Sequence, residues 1–268
     1  MDTLVSGGVE RQNVETSSLG VINIPPSISS QTVLDGFKVT EGGVGIYNLG
    51  APQIKKCVIF GNNGSGIYNG PNATLTLTDC SVSQNTSFLG AGILTLGKAY
   101  LGNCIISDNN PSVAVNYGSF QDDEGQIYST KTVTATGGGG ITVAGGTFEA
   151  SGCTIQNNQS ETHGGGISEQ NADMILDHCK IVNNRADYGG GIDIGITERS
   201  DDNTPPERIM IQHCIIAHNM GGYGGGISCV GSGSIRLPVV IQDNVIYANS
   251  GRLTHGGGVF AEAKWCIR

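Results

Sequence analysis

Charge and aromatic rings are scarce in this sequence. Only 14% of its 268 residues are charged and 6% are aromatic, with one tryptophan. The 14 lysines and arginines never cluster, and 23 acidic residues bring the net charge to −9. A protein that holds nucleic acid through its phosphates needs a basic stripe, so that class is excluded. The acidic balance suits divalent cations or simple solubility. No apolar run is long enough to span a bilayer, and no stretch has the rhythm of a long amphipathic helix. The first residues, Met1–Gln12, are polar and contain glycine, without the basic and apolar regions of an export signal. That start fits an intracellular chain or a mature segment whose signal is missing.

Glycine, by contrast, is abundant at 43 residues. It follows no Gly-X-Y period, which excludes collagen, and 38% apolar residues are too many for a disordered chain. Glycines scattered among short Val/Ile/Leu/Thr runs predict many short strands joined by tight turns.

Eight cysteines look at first like a disulfide framework. Six of them, however, open one recurring phrase, Cys-x-(Ile/Val)-x-x-Asn. The cysteines are Cys57, Cys80, Cys104, Cys153, Cys179 and Cys214, and the asparagines are Asn62, Asn85, Asn109, Asn158, Asn184 and Asn219. A seventh copy has Asn244 in the cysteine slot and ends on Asn249, and an earlier one starts at Phe37. A second phrase, Gly-Ile, follows at Ile46, Ile67, Ile93, Ile141, Ile167, Ile192 and Ile227, and as valine at Val259. In the later copies it grows to Gly-Gly-Gly-Ile. The intervals along the cysteine slot are 23, 24, 49, 26, 35 and 30 residues. The 49 is close to two repeats, which predicts a degenerate rung near Ile127. Self-similarity at this period marks a solenoid.

Apolar residues sit five and three before the slot, at it, and two after it, as in Leu75, Leu77, Cys80 and Val82. Alternation breaks only between −3 and 0, so a strand must bend there to keep both halves pointing inward. The expected fold is all-β: a right-handed parallel β-helix of about nine three-strand rungs, roughly 40 Å long at the usual strand spacing. Cysteines in one column then serve as packing, with a disulfide disfavoured by geometry. The asparagines form a ladder at a turn, and the glycines allow close approach of rungs. Residues 1–30 lack the phrases and are read as a cap or lead-in, with 31–268 as the helix. Ala261, Ala263 and Cys266 repeat the −5, −3, 0 spacing, so the chain is expected to stop as a new rung begins. Further rungs, a C-terminal domain of a parent protein or a partner would cover that end.

These asparagine-laddered coils resemble the pectate-lyase-like superfamily of right-handed β-helices. The phrases Ile-x-x-Asn and Gly-Gly-Gly-Ile, with Thr-Val-Leu-Asp-Gly-Phe over 32–37, are similar to the repeats of polymorphic outer-membrane proteins, although glycine here replaces an alanine of that pattern. The likeness covers about residues 30–268. It implies an extracellular or cell-surface protein whose partner is a polysaccharide or surface glycan. Superfamily enzymes acting on acidic polysaccharides imply calcium-bridging carboxylates plus a basic proton acceptor, and the hydrolases imply paired aspartates.

Three departures from the repeat are candidate sites. The residue before each glycine triplet carries a ring in four successive rungs: His163, Tyr188, Tyr223 and His255. Such a ladder suits sugar rings, or simply covers a glycine-rich turn. The corner before the cysteine slot holds His178, His213 and Asp243, a candidate metal set or a solvated corner. The connection from Ile192 to Cys214 spans 22 residues, where most use eleven to thirteen. Its excess, Thr197–Arg208, carries Arg199, Asp201 and Asp202, candidate catalytic groups for a lyase or glycoside hydrolase, or else a solvated acidic loop. No catalytic motif is present. A binding or adhesion module is therefore the first expectation, an enzyme the second and a structural spacer the third. Cys229 is expected to pack within its strand.

Overall fold

The computed structural model describes residues 20–110, 115–121, 127–133, 137–196, 208–231, 239–252 and 256–261. Within them the chain winds as a three-sided coil. One side is a nine-stranded sheet built from the Gly-Ile strands, from Ile22–Ile24 to Val259–Ala261. The second side has eight strands that precede the cysteine slot, such as Thr74–Thr78 and Asp173–Asp177. The third has eight that follow it, such as Ser81–Ser83 and Lys180–Val182. Each strand pairs in parallel with the equivalent strand of the next coil. Eight full turns and the first strand of a ninth result, an all-β right-handed parallel β-helix. Within the lead-in, the strand Ile22–Ile24 pairs with Ile46–Asn48 and so begins this stack.

The expected degenerate rung near Ile127 is not a rung. Ile93 pairs directly with Ile141, and the Asn109 side chain donates to Asn158 at 3.0 Å, so the coils on either side of the long interval are adjacent. The surplus residues instead contain an antiparallel hairpin, Val115–Gln121 with Ile127–Val133. Neither phrase of the repeat occurs there, so those strands have no column to join and pair with each other.

The inward columns are the core. Leu75, Leu77, Val82, Ile93 and their equivalents are fully buried. Volumes compensate between neighbouring coils: Phe148 stacks on Ala99, and Ala150 on Leu101. The bend between −3 and 0 is a left-handed residue at −1 in every coil: Gly36, Lys56, Asp79, Asn103, Gly152, His178, His213 and Asp243, with φ from 50 to 74°. A second left-handed corner falls at +4, the residue just before the ladder asparagine, as in Gln84 and Asn157. These two corners turn one flat alternation into three sides.

The cysteines do more than pack. Cys57 and Cys104 donate their backbone N–H to the sulfur of the next cysteine, Cys80 and Cys153, each at 3.4 Å. Each thiol in turn donates to the carbonyl two residues before it, as Cys214 does to Gln212 at 3.1 Å. Asn244 takes over the first task with its amide oxygen, accepting from the Cys214 N–H, while its amide nitrogen donates to the Ile211 carbonyl of the preceding coil, each at 2.8 Å. Among the described residues every cysteine is a free, buried thiol.

The inner members of the asparagine ladder satisfy all their side-chain groups. The Asn158 Oδ1 accepts from both the backbone N–H and the side chain of Asn109, each at 3.0 Å. Its own amide donates to Asn184 at 3.1 Å and to the Ile106 carbonyl at 2.9 Å. The same pattern runs from Asn62 to Asn249. The glycine turns fold tightly over it: a Cβ on Gly191 would stand 2.5 Å from the Gly226 carbonyl oxygen and 3.1 Å from the Asn219 amide. Removing a ladder asparagine therefore orphans several buried groups, each worth about 1–3 kcal/mol. Asn158→Ala is expected to lose about 3 kcal/mol or more in urea unfolding. The exposed Asn110→Ala should stay within about 0.5 kcal/mol of the parent protein.

Candidate functional site

The outer residues, not the columns inside, carry chemistry. His163, Tyr188 and Tyr223 lie in one column, joined rung to rung by parallel bridges. His163 stacks on Tyr188 with ring centroids 5.2 Å apart, and Tyr188 on Tyr223 at 4.8 Å with planes 7° apart. Phe260 leans against Tyr223 at 5.6 Å. Both faces of Tyr188 thus meet another ring, so a ligand approaching it meets its edge. The glycine turn behind these rings folds back onto the strand it leads into, and a Cβ on Gly189 would lie 2.6 Å from the Asp193 nitrogen.

That fold-back buries a polar column on the outer face of the Gly-Ile sheet. Ser168, Asp193 and Ser228 are in register on adjacent strands, and all three are buried. Asp193 Oδ2 lies 2.7 Å from His163 Nδ1. Ser168 Oγ, Asp193 Oδ1 and Ser228 Oγ find no hydrogen-bond partner among the described residues. The hydrogen bond to Asp193 raises the His163 pKa above its ordinary value, against burial, which lowers it. A raised histidine contributes stability that is complete below its ordinary value and lost as pH rises through the raised one. The His163 imidazole should therefore titrate above about 6.5 in an NMR titration, and Asp193→Asn should move it down. An unmoved midpoint in Asp193→Asn would remove the pair.

At the corner before the cysteine slot, His178 and His213 stack with centroids 4.7 Å apart. Their carboxylate neighbour is Asp177, whose Oδ1 lies 2.9 Å from Nδ1 of each. Asp243 occupies the same corner of the following coil, outside the group of three whose ligand atoms lie within 4.8 Å of one another. Its charge, with that of Asp177, still acts on His213: the hydrogen bond that Asp177 accepts first, then the carboxylate charges, raise that histidine's pKa.

Asp177 also lines a groove of about 380 Å³ on the outer face of the second sheet. Thr76, Thr78, Tyr100, Glu149, Ser151 and Gln212 line it too, and Gly102 forms part of its floor. A Cβ on Gly102 would meet nothing within 4 Å, so the missing side chain is what leaves the space open. No ring stacks on Tyr100 among the described residues.

Arg199, Asp201, Asp202, His255 and Cys266 lie outside the described residues. Cys229 is buried, and burial pushes its thiol up to about 12. Asp193, Asp177 and Tyr100 were not singled out from the sequence. Asp177 had a signal, since it immediately precedes a corner histidine. Asp193 and Tyr100 occupy ordinary outward positions, and their setting depends on the fold-back and on neighbours from other coils.

A family model described as the right-handed β-helix region matches residues 42–264. None of the curated proteins and none of the solved structures matches the chain.

Proposed function

The chain belongs to the right-handed β-helix family, and on that basis we propose that it is a glycan-binding module of an extracellular or cell-surface protein. The groove beside Tyr100 carries this reading. It sets one ring, unstacked among the described residues, beside hydroxyl, amide and carboxylate side chains, the mixture that sugars engage through apolar faces and hydroxyls. Stacked coils repeat such groups at every rung, which suits a polymer of repeating units. Glu149 and Asp177 put negative charge in the groove, so a neutral glycan is favoured over a uronate polymer. The cell-surface setting rests on the likeness of the repeats to those of polymorphic outer-membrane proteins.

The alternative, a lyase or hydrolase acting on an acidic polysaccharide with calcium, rests on Arg199, Asp201 and Asp202 and has no described geometry behind it. The third reading is a structural spacer. One experiment separates them: a glycan array and a turnover screen on uronate polymers, with and without calcium, using variants of both surfaces. Tyr100→Ala is expected to weaken binding about tenfold, the upper range of one ring contact. Gly102→Gln should fill the groove and block binding while leaving the unfolding midpoint unchanged, because its side chain enters open space. Tyr188→Ala should leave binding intact. Loss in Tyr188→Ala alone would move the site to the ring ladder, and an unsaturated product from a uronate polymer would make the chain a lyase. Silence on every glycan would leave the spacer.

A further inference from the structure

We propose that Asp177, His178 and His213 bind one divalent transition-metal ion of the zinc, cobalt or nickel class. This does not depend on the glycan reading. Both histidine Nδ1 atoms converge on one oxygen, Asp177 Oδ1, at 2.9 Å each. Ligands bound at about 2.0–2.1 Å stand about 2.9 Å apart at right angles and about 3.3 Å apart at the tetrahedral angle. The two nitrogen–oxygen pairs therefore already stand near the separation of neighbouring positions around such an ion, and all three donor atoms lie within 4.8 Å of one another. An ion entering the set replaces the hydrogen bonds that now join its members, and any Nδ1 proton leaves to solvent.

The backbone holds this arrangement. His178 and His213 are both left-handed, with φ of 52° and 53°, at the same corner of successive coils. The His178 N–H is tied to the Gln212 carbonyl at 3.2 Å. Other coils place Lys56, Asp79, Asn103 and Asp243 at that corner, which shows that the turn itself does not demand histidine. Here two imidazoles stand over one carboxylate, and their side chains are 66% and 43% exposed, so an ion reaches them without unfolding. Imidazole nitrogen favours zinc, nickel and cobalt, whereas calcium takes six to eight oxygens. Three protein ligands leave positions open for solvent or for a ligand donor. Asp177 and Gln212 also line the groove, so these positions lie beside its end.

The test is an equilibrium titration of tag-free full chain with Co²⁺, followed by its visible absorption, and with Zn²⁺ by competition against a chromophoric chelator. The expected result is one ion per chain, with affinity falling at least about tenfold in Asp177→Asn and in His178→Asn/His213→Asn. Asparagine tolerates the left-handed corner, so these variants should keep the parent's unfolding midpoint without metal. A second readout needs no variant. One equivalent of Zn²⁺ should shift the imidazole NMR signals of two of the five histidines. Absence of saturable one-to-one binding, a loss smaller than tenfold in the double variant, or shifts in any other number of histidines would overturn the proposal.

Discussion

Successive coils among the described residues are joined by a ladder of asparagine side chains whose inner members, such as Asn158, have no unused group. Its oxygen takes two N–H bonds from the coil before, and its nitrogen reaches the coil after and the carbonyl of the coil before. A buried amide half satisfied would cost more than it contributes, so the ladder works only if every rung keeps it. This sets the register of the stack. With the asparagines aligned, the slots at −5, −3, 0 and +2 fall into columns, and apolar side chains of matched volume fill the interior. The cysteine column repeats the device at the opposite corner with a weaker donor and acceptor. Asn244, standing in the cysteine slot, shows that hydrogen bonding as well as size selects the residue there.

The columns were legible in the amino-acid order because each is a fixed offset from a marked residue. Leu75, Leu77, Cys80 and Val82 could be placed inside by counting, and the broken alternation before Cys80 pointed to a bend that is the left-handed Asp79. Counting failed where its unit failed. The 49-residue interval is close to two repeat lengths, yet the stretch around Ile127 carries neither phrase, and a hairpin lies there instead. The role of cysteine was under-read for a different reason. Its sulfur bonds to backbone groups brought near only by the corner, and these have no signature in composition.

The outer surface was harder to read, because its chemistry depends on which neighbours other coils supply. The ring column was visible as a column, yet only the geometry shows its faces turned to one another. Asp193 looks like a solvated residue between two buried isoleucines until the glycine turn folds back over it. The groove arises from an absence, the side chain that Gly102 lacks, flanked by Tyr100 and Ser151. A rigid repetitive scaffold with irregular outer columns is suited to binding, since each coil can vary its outward residues while the interior stays constant.

The measurement that bears most directly on this account is hydrogen exchange of the asparagine side-chain amides, followed by NMR on selectively labelled protein. If the ladder ties the coils together, the Nδ2–H groups of Asn85, Asn109, Asn158 and Asn184 exchange only with global unfolding, while that of the exposed Asn110 exchanges at the rate of a free amide. Ladder amides that exchange as fast as Asn110 in the folded protein would contradict it.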